Sequence, residues 1–125
     1  DLSCHTDTCL RAMSKDYERT TIIPGYGFTG SFTANSGGTV EYELIVRSGS
    51  GVSFYLVDRN ELQNYERGFN FGSYTRATHK NVMSVQNAHP IEAGDYGLIV
   101  ENPTFSNVVV DLHIELPISG DVNLS

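Results

Sequence analysis

The chain has 125 residues and a formal charge of −7, from fifteen Asp and Glu against eight Lys and Arg. One domain of this size buries roughly two-thirds of the surface its unfolded form exposes, and an acidic surface excludes nucleic acid and anionic membranes, which both attract basic patches. Seven Tyr, six Phe and twelve Gly favour strands and turns over long helices, and no apolar run approaches the roughly twenty residues of a membrane helix, so no membrane insertion is expected.

Residues 1–19 form a polar N-terminal segment holding both cysteines, Cys4 and Cys9. Their closeness suits one short disulfide and an oxidising, extracytoplasmic compartment, with free thiols as the alternative. Residues 20–118 read as a single β domain and 119–125 as a polar tail. Thr20-Thr21-Ile22-Ile23 predicts a short strand stopped by Pro24-Gly25, and Tyr26 to Ala34 a strand alternating aromatic and small residues. Val40 to Val46 alternates strictly, with Val40, Tyr42, Leu44 and Val46 inward and Glu41 and Glu43 outward. Val52 to Asp58 is a more deeply buried strand, and the two are expected to pair as a hairpin around Gly49 and Gly51.

From Asn60 to Arg67 the spacing changes, and Gly68 stands where a helix would stop, so a short helical segment is expected near 60–67. Ser73 to Ala77 and Asn81 to Gln86 follow as candidate short strands or an irregular crossing. Gly94 to Asn102 is a turn feeding an apolar run: Tyr96, Leu98 and Val100 fall on one face and Ile99 on the other, which places this strand mid-sheet. Val108, Val110, Leu112, Ile114 and Leu116 line one face of the closing strand. The pattern predicts an all-β, antiparallel β-sandwich of seven or eight strands, jelly-roll or immunoglobulin-like.

The motifs that resemble chemistry have plainer explanations. Gly25-Tyr26-Gly27-Phe28-Thr29-Gly30 fits a phosphate-binding glycine pattern, but strand residues rather than a helix follow it, so the glycines read as a bent strand. Cys4, His5, Asp7 and Cys9 have the donor types of a zinc site, yet four ligands are needed and His79, His89 and His113 lie far along the chain. Asp58-Arg59-Asn60-Glu61 begins like a calcium loop but reads better as a helix start with Asp58 as cap. No nucleophile elbow is present, so no catalytic residue, metal or cofactor is assigned. Tyr55, Tyr65, Phe69, Phe71 and Tyr74 gather around the irregular middle segment and form the candidate binding face.

Through Val52 to Asp58, Asn64 to Gly68 and above all Gly94 to Asn102, the chain resembles the GOLD-like domains and the related bacterial prepeptidase C-terminal (PPC) sandwiches of secreted proteins. The resemblance spans about residues 20 to 117. It implies an antiparallel β-sandwich acting as an accessory or interaction module with no catalytic residue to transfer. Glu92 to Leu98 also resembles an immunoglobulin-type tyrosine corner centred on Tyr96, although the chain has no Trp and no cysteine pair spanning the sheets.

The function expected is a noncatalytic, extracytoplasmic interaction module binding a protein or glycan partner. Two alternatives stand beside it: a small metal-dependent or hydrolytic enzyme using Cys4, His5 or other histidines, and a structural subunit that assembles into a homo-oligomer or larger surface assembly through an edge strand.

Overall fold

The computed structural model describes residues 15–34, 36–115 and 120–124; Cys4, His5, Cys9 and the disulfide expected between the cysteines lie outside them. Among the described residues nine strands run in chain order: β1 (Lys15–Ile22), β2 (Gly27–Ala34), β3 (Gly38–Ser48), β4 (Val52–Asp58), β5 (Thr78–Val82), β6 (Ser84–Ile91), β7 (Gly94–Glu101), β8 (Val108–Glu115) and β9 (Gly120–Leu124). A helix, α1 (Arg59–Glu66), follows β4, and a single 3-10 turn covers Thr75–Ala77. One sheet has the order β1-β8-β3-β6, the other β5-β4-β7-β2-β9, and every pairing is antiparallel.

Apart from β4 and β5, which are neighbours in one sheet, successive strands from β1 to β8 alternate between the sheets in the order of a jelly roll, which decides between the two sandwich types expected. The alternation also corrects the hairpin expected between β3 and β4, because β3 joins one sheet and β4 the other. Strand chemistry explains the difference. β3 alternates buried and exposed residues, as suits a sheet with one wet face, whereas β4 is buried on both faces and needs cover that β3 cannot give.

The residues read as a polar tail contribute a ninth strand, since Gly120–Leu124 pairs with β2 from Gly30 to Ala34. An edge strand is held by backbone hydrogen bonds and needs no hydrophobic run, so composition concealed it. Between Ser73 and Ala77 the chain is irregular and ends in the 3-10 turn, and the stretch Asn81 to Gln86 is divided at Met83 between the end of β5 and the start of β6.

The main core lies between the sheets. The rows expected to face inward are buried where they are described: Val40, Tyr42, Leu44 and Val46 from β3, Tyr96, Leu98 and Val100 from β7, and Val108, Val110, Leu112 and Ile114 from β8, with Leu116 outside the described residues. Across the interface Tyr42 stacks on Phe54 with ring centroids 4.5 Å apart. Within one sheet Phe32 stacks on its cross-strand partner Tyr96 at 5.4 Å.

The tyrosine corner is present: the Tyr96 hydroxyl donates to the Glu92 carbonyl at 2.7 Å. Tyr96→Phe keeps the stacked ring and removes only this bond. It is expected to cost about 1 kcal/mol, read as a lower urea midpoint with the slope of the transition unchanged.

Candidate binding face

A second, smaller core forms on the outer face of the β4–β7 sheet, and it is what places the candidate residues. Leu62 of α1 is buried against Val57 and Ile99, and Tyr55, Tyr65 and Phe71 pack around these three. The helix can sit this close because β7 carries Gly97. A Cβ there would fall 2.8 Å from both Cβ and Cδ2 of Leu62, inside any normal contact. Gly27 does the same for the far end of the helix, where a Cβ would overlap the Tyr65 hydroxyl. The Gly25-x-Gly27 pair thus serves a turn, at Gly25 with φ 80, and a helix seat.

The start of α1 departs from the sequence expectation. Asp58 occupies the N-cap position with extended backbone, but its side chain makes no cap hydrogen bond; it accepts one from the Tyr74 hydroxyl. Arg59 ties this end to the sheet instead, donating to the carbonyls of Tyr96 and Phe32, each at 3.2 Å.

The end of α1 matches expectation. Gly68, with φ 79, donates to the Tyr65 carbonyl at 3.0 Å and Phe69 donates to that of Asn64 at 2.8 Å, the two bonds of a Schellman cap. Beyond it, the Gly72 N–H donates to the Glu61 carboxylate at 2.9 Å and the Tyr74 N–H to the Leu56 carbonyl at 2.9 Å. The bond from Gly72, followed by that from Asn64, holds the Glu61 carboxyl below its usual range. Each successive part of the 67–74 loop is thereby fixed to α1 or β4.

These contacts divide the five aromatic residues. Tyr55 and Tyr65 each meet Phe71 edge to face at 5.3 Å, and all three are half-buried. Phe69 stands clear at 62% exposure beside them. Tyr74 belongs elsewhere: its ring faces His89 at 5.6 Å and Tyr96 at 6.1 Å at the edge of the main core. The surface that remains is a rim of three half-buried rings with one exposed ring on a pinned loop.

Burial first, and then the neighbouring Glu101 carboxylate that accepts its hydrogen bond, push the Tyr65 hydroxyl up to about 12. Because the unfolded phenol ionises near 10, the stability linked to this group is complete below pH 10 and falls as pH rises toward 12. Ultraviolet titration should show that Tyr65→Phe removes one tyrosinate from those that ionise above the ordinary range.

The histidines do not converge. His79 meets the Tyr42 hydroxyl at 2.9 Å, His89 lies against Tyr74, and His113 is on the outer face of the other sheet, in a shallow depression with Glu41, Glu43 and Glu115. Burial lowers the pKa of His79 and, with Arg76 nearby, that of His89. Among the described residues no three His, Cys, Asp or Glu side chains are grouped to hold a metal ion. On the same outer face the buried Asp111 carboxylate accepts from Arg19 at 2.6 and 2.8 Å and from Arg47 at 2.7 Å, a pairing across three strands.

Sequence reasoning missed the partners of Tyr74, the buried Asn102 described below, and the seat at Gly97. The last had a signal, since a glycine inside an apolar strand marks a close approach of another element.

No protein-family model matches the chain, and no curated protein matches it. Solved structures do. The pre-peptidase C-terminal domain of a collagenase from Bacillus anthracis is similar with TM-score 0.59 at 17% identity, over 79% of this chain and 87% of that one. The Yersinia pseudotuberculosis-derived mitogen is similar with TM-score 0.58 at 10% identity, over 82% and 85%. The fold is a PPC-like β-sandwich, as the Gly94 to Asn102 pattern suggested.

Proposed function

We propose that the chain is a noncatalytic, extracytoplasmic interaction module that binds a protein or glycan partner through the α1 side of the sandwich. One observation carries this reading: Phe69 is held exposed on a loop that backbone and Glu61 hydrogen bonds fix in place, next to the half-buried rings of Tyr55, Tyr65 and Phe71. A rigid aromatic anchor loses little conformational freedom on binding, which is what a recognition surface needs. The enzymatic alternative rests first on Cys4 and His5, which lie outside the described residues. The likeness to an accessory domain of a collagenase agrees with a module that positions rather than transforms.

The test is binding of the chain to arrayed glycans and purified extracellular proteins. Phe69→Ala should weaken any captured interaction about tenfold, as loss of an interface aromatic does, while the melting temperature stays unchanged. Full retention of binding by Phe69→Ala, or turnover of a captured ligand, would sink the reading.

A further inference from the structure

The loops β1–β2 (residues 23–26), β3–β4 (49–51), β5–β6 (Met83) and β7–β8 (102–107) all lie at one end of the sandwich. The pairings Ile22↔Val108, Ser48↔Val109, Val52↔Val82 and Gly27↔Glu101 require it. Not one of these loop residues is Asp, Glu, Lys, Arg or His, although the chain is 18% charged. The opposite end bears Asp58, Arg59, Glu92 and Asp95.

The uncharged end also carries most of the exposed large apolar side chains among the described residues. Phe105 is 102% exposed, Tyr26 64%, Met83 51% and Ile23 49%, which leaves only Phe69 elsewhere. They project from three separate loops.

Beneath them the backbone is already satisfied. Asn102, fully buried, donates to the carbonyls of Ile22 and Ser106, both at 2.8 Å, and accepts from the N–H and hydroxyl of Thr104. Its own backbone exchanges bonds with Gly25 and Tyr26. An end built this way gives up little when water leaves, because these polar groups keep their partners in a medium that offers none.

We propose that this end docks on the headgroup boundary of a zwitterionic lipid surface, with Phe105, Tyr26, Ile23 and Met83 entering it. Three observations select that occupant. Separate apolar tips need no matching pocket in a fluid plane, and Phe, Tyr, Ile and Met suit the boundary between headgroups and acyl chains. The loops are too short to supply the roughly 20–30 residues a side of a stable protein interface. The acids that give the chain its −7 charge lie outside these loops, so they disfavour anionic lipid without opposing a neutral one. Net charge, which speaks only against anionic membranes, does not reveal this segregation. The proposal goes beyond the partner-binding reading and uses different residues.

Sedimentation of the full chain with pure phosphatidylcholine vesicles tests it. Binding is expected, weaker when phosphatidylserine is added, and reduced about tenfold by Phe105→Asp, since a carboxylate is costly to place in lipid. Tyr26→Ser provides a second variant that should also weaken binding, and unchanged circular dichroism confirms that each variant folds. Absence of vesicle binding by the unaltered chain, or binding that both variants retain in full, overturns the proposal. Concentration-dependent light scattering abolished by Phe105→Asp without vesicle binding also overturns it and assigns the end to a second copy.

Discussion

Asn102→Ala is expected to destabilise the protein by about 3 kcal/mol, the largest effect of any single polar substitution considered, lowering the melting temperature by about 10–20 °C. The side chain is fully buried and makes four hydrogen bonds that join the β1–β2 and β7–β8 loops. Its removal takes the Asn102 donor from the Ile22 carbonyl at the buried end of β1 and the acceptor from the Thr104 N–H, while the Ser106 carbonyl keeps the Thr104 hydroxyl at 3.0 Å. Asn102→Asp separates the two halves of the network, because a carboxylate still accepts from Thr104 but cannot donate to either carbonyl. It should cost at least as much as the alanine. Denaturant unfolding of both variants checks this, and a loss below about 0.5 kcal/mol for either would show that the loops hold together by other means.

Gly97→Val attacks the candidate face from beneath. The new side chain would overlap Leu62, so α1 must lift from β7 and the second core with Val57 and Ile99 must open. Overpacking of this kind costs about 2–3 kcal/mol. The structural consequence is as informative as the energy: Tyr55, Tyr65 and Phe71 should lose their fixed packing, seen as weakened near-ultraviolet dichroism and faster proteolysis between residues 59 and 74. Wild-type stability with intact tyrosine dichroism would mean that α1 does not depend on this seat.

Much of the sandwich was legible because one-sided burial imposes a period of two. The inward rows of β3, β7 and β8 follow directly from it, and the turn before Tyr96 announced both the corner and the central strand. Topology was less legible. Whether β4 pairs with β3 or crosses to the other sheet depends on what covers its second face, and that cover, α1, is distant information for a local pattern. β9 left no apolar signature because backbone pairing holds an edge strand.

The five aromatic residues of the candidate face are a cluster in sequence and only partly one in space. Tyr55, Tyr65 and Phe71 meet around α1, while Tyr74 turns to Asp58, His89 and Tyr96, since the chain between Gly72 and Thr75 leaves the helix side for the edge of the main core. Asn102 was invisible for a similar reason. Of its three partner residues, Thr104 and Ser106 are local, whereas Ile22 comes within reach only when β1 and β8 pair and the loops meet.

The central claim is that the α1 side of the sandwich, with Phe69 at its crest, is the recognition surface. Amide chemical-shift mapping of the chain titrated with a captured glycan or protein ligand tests it most directly. Perturbations are expected to concentrate at residues 55, 62–72 and 97. Perturbations confined to Glu41, Glu43, His113 and Glu115 on the outer face of the opposite sheet, with the α1 side silent, would contradict it.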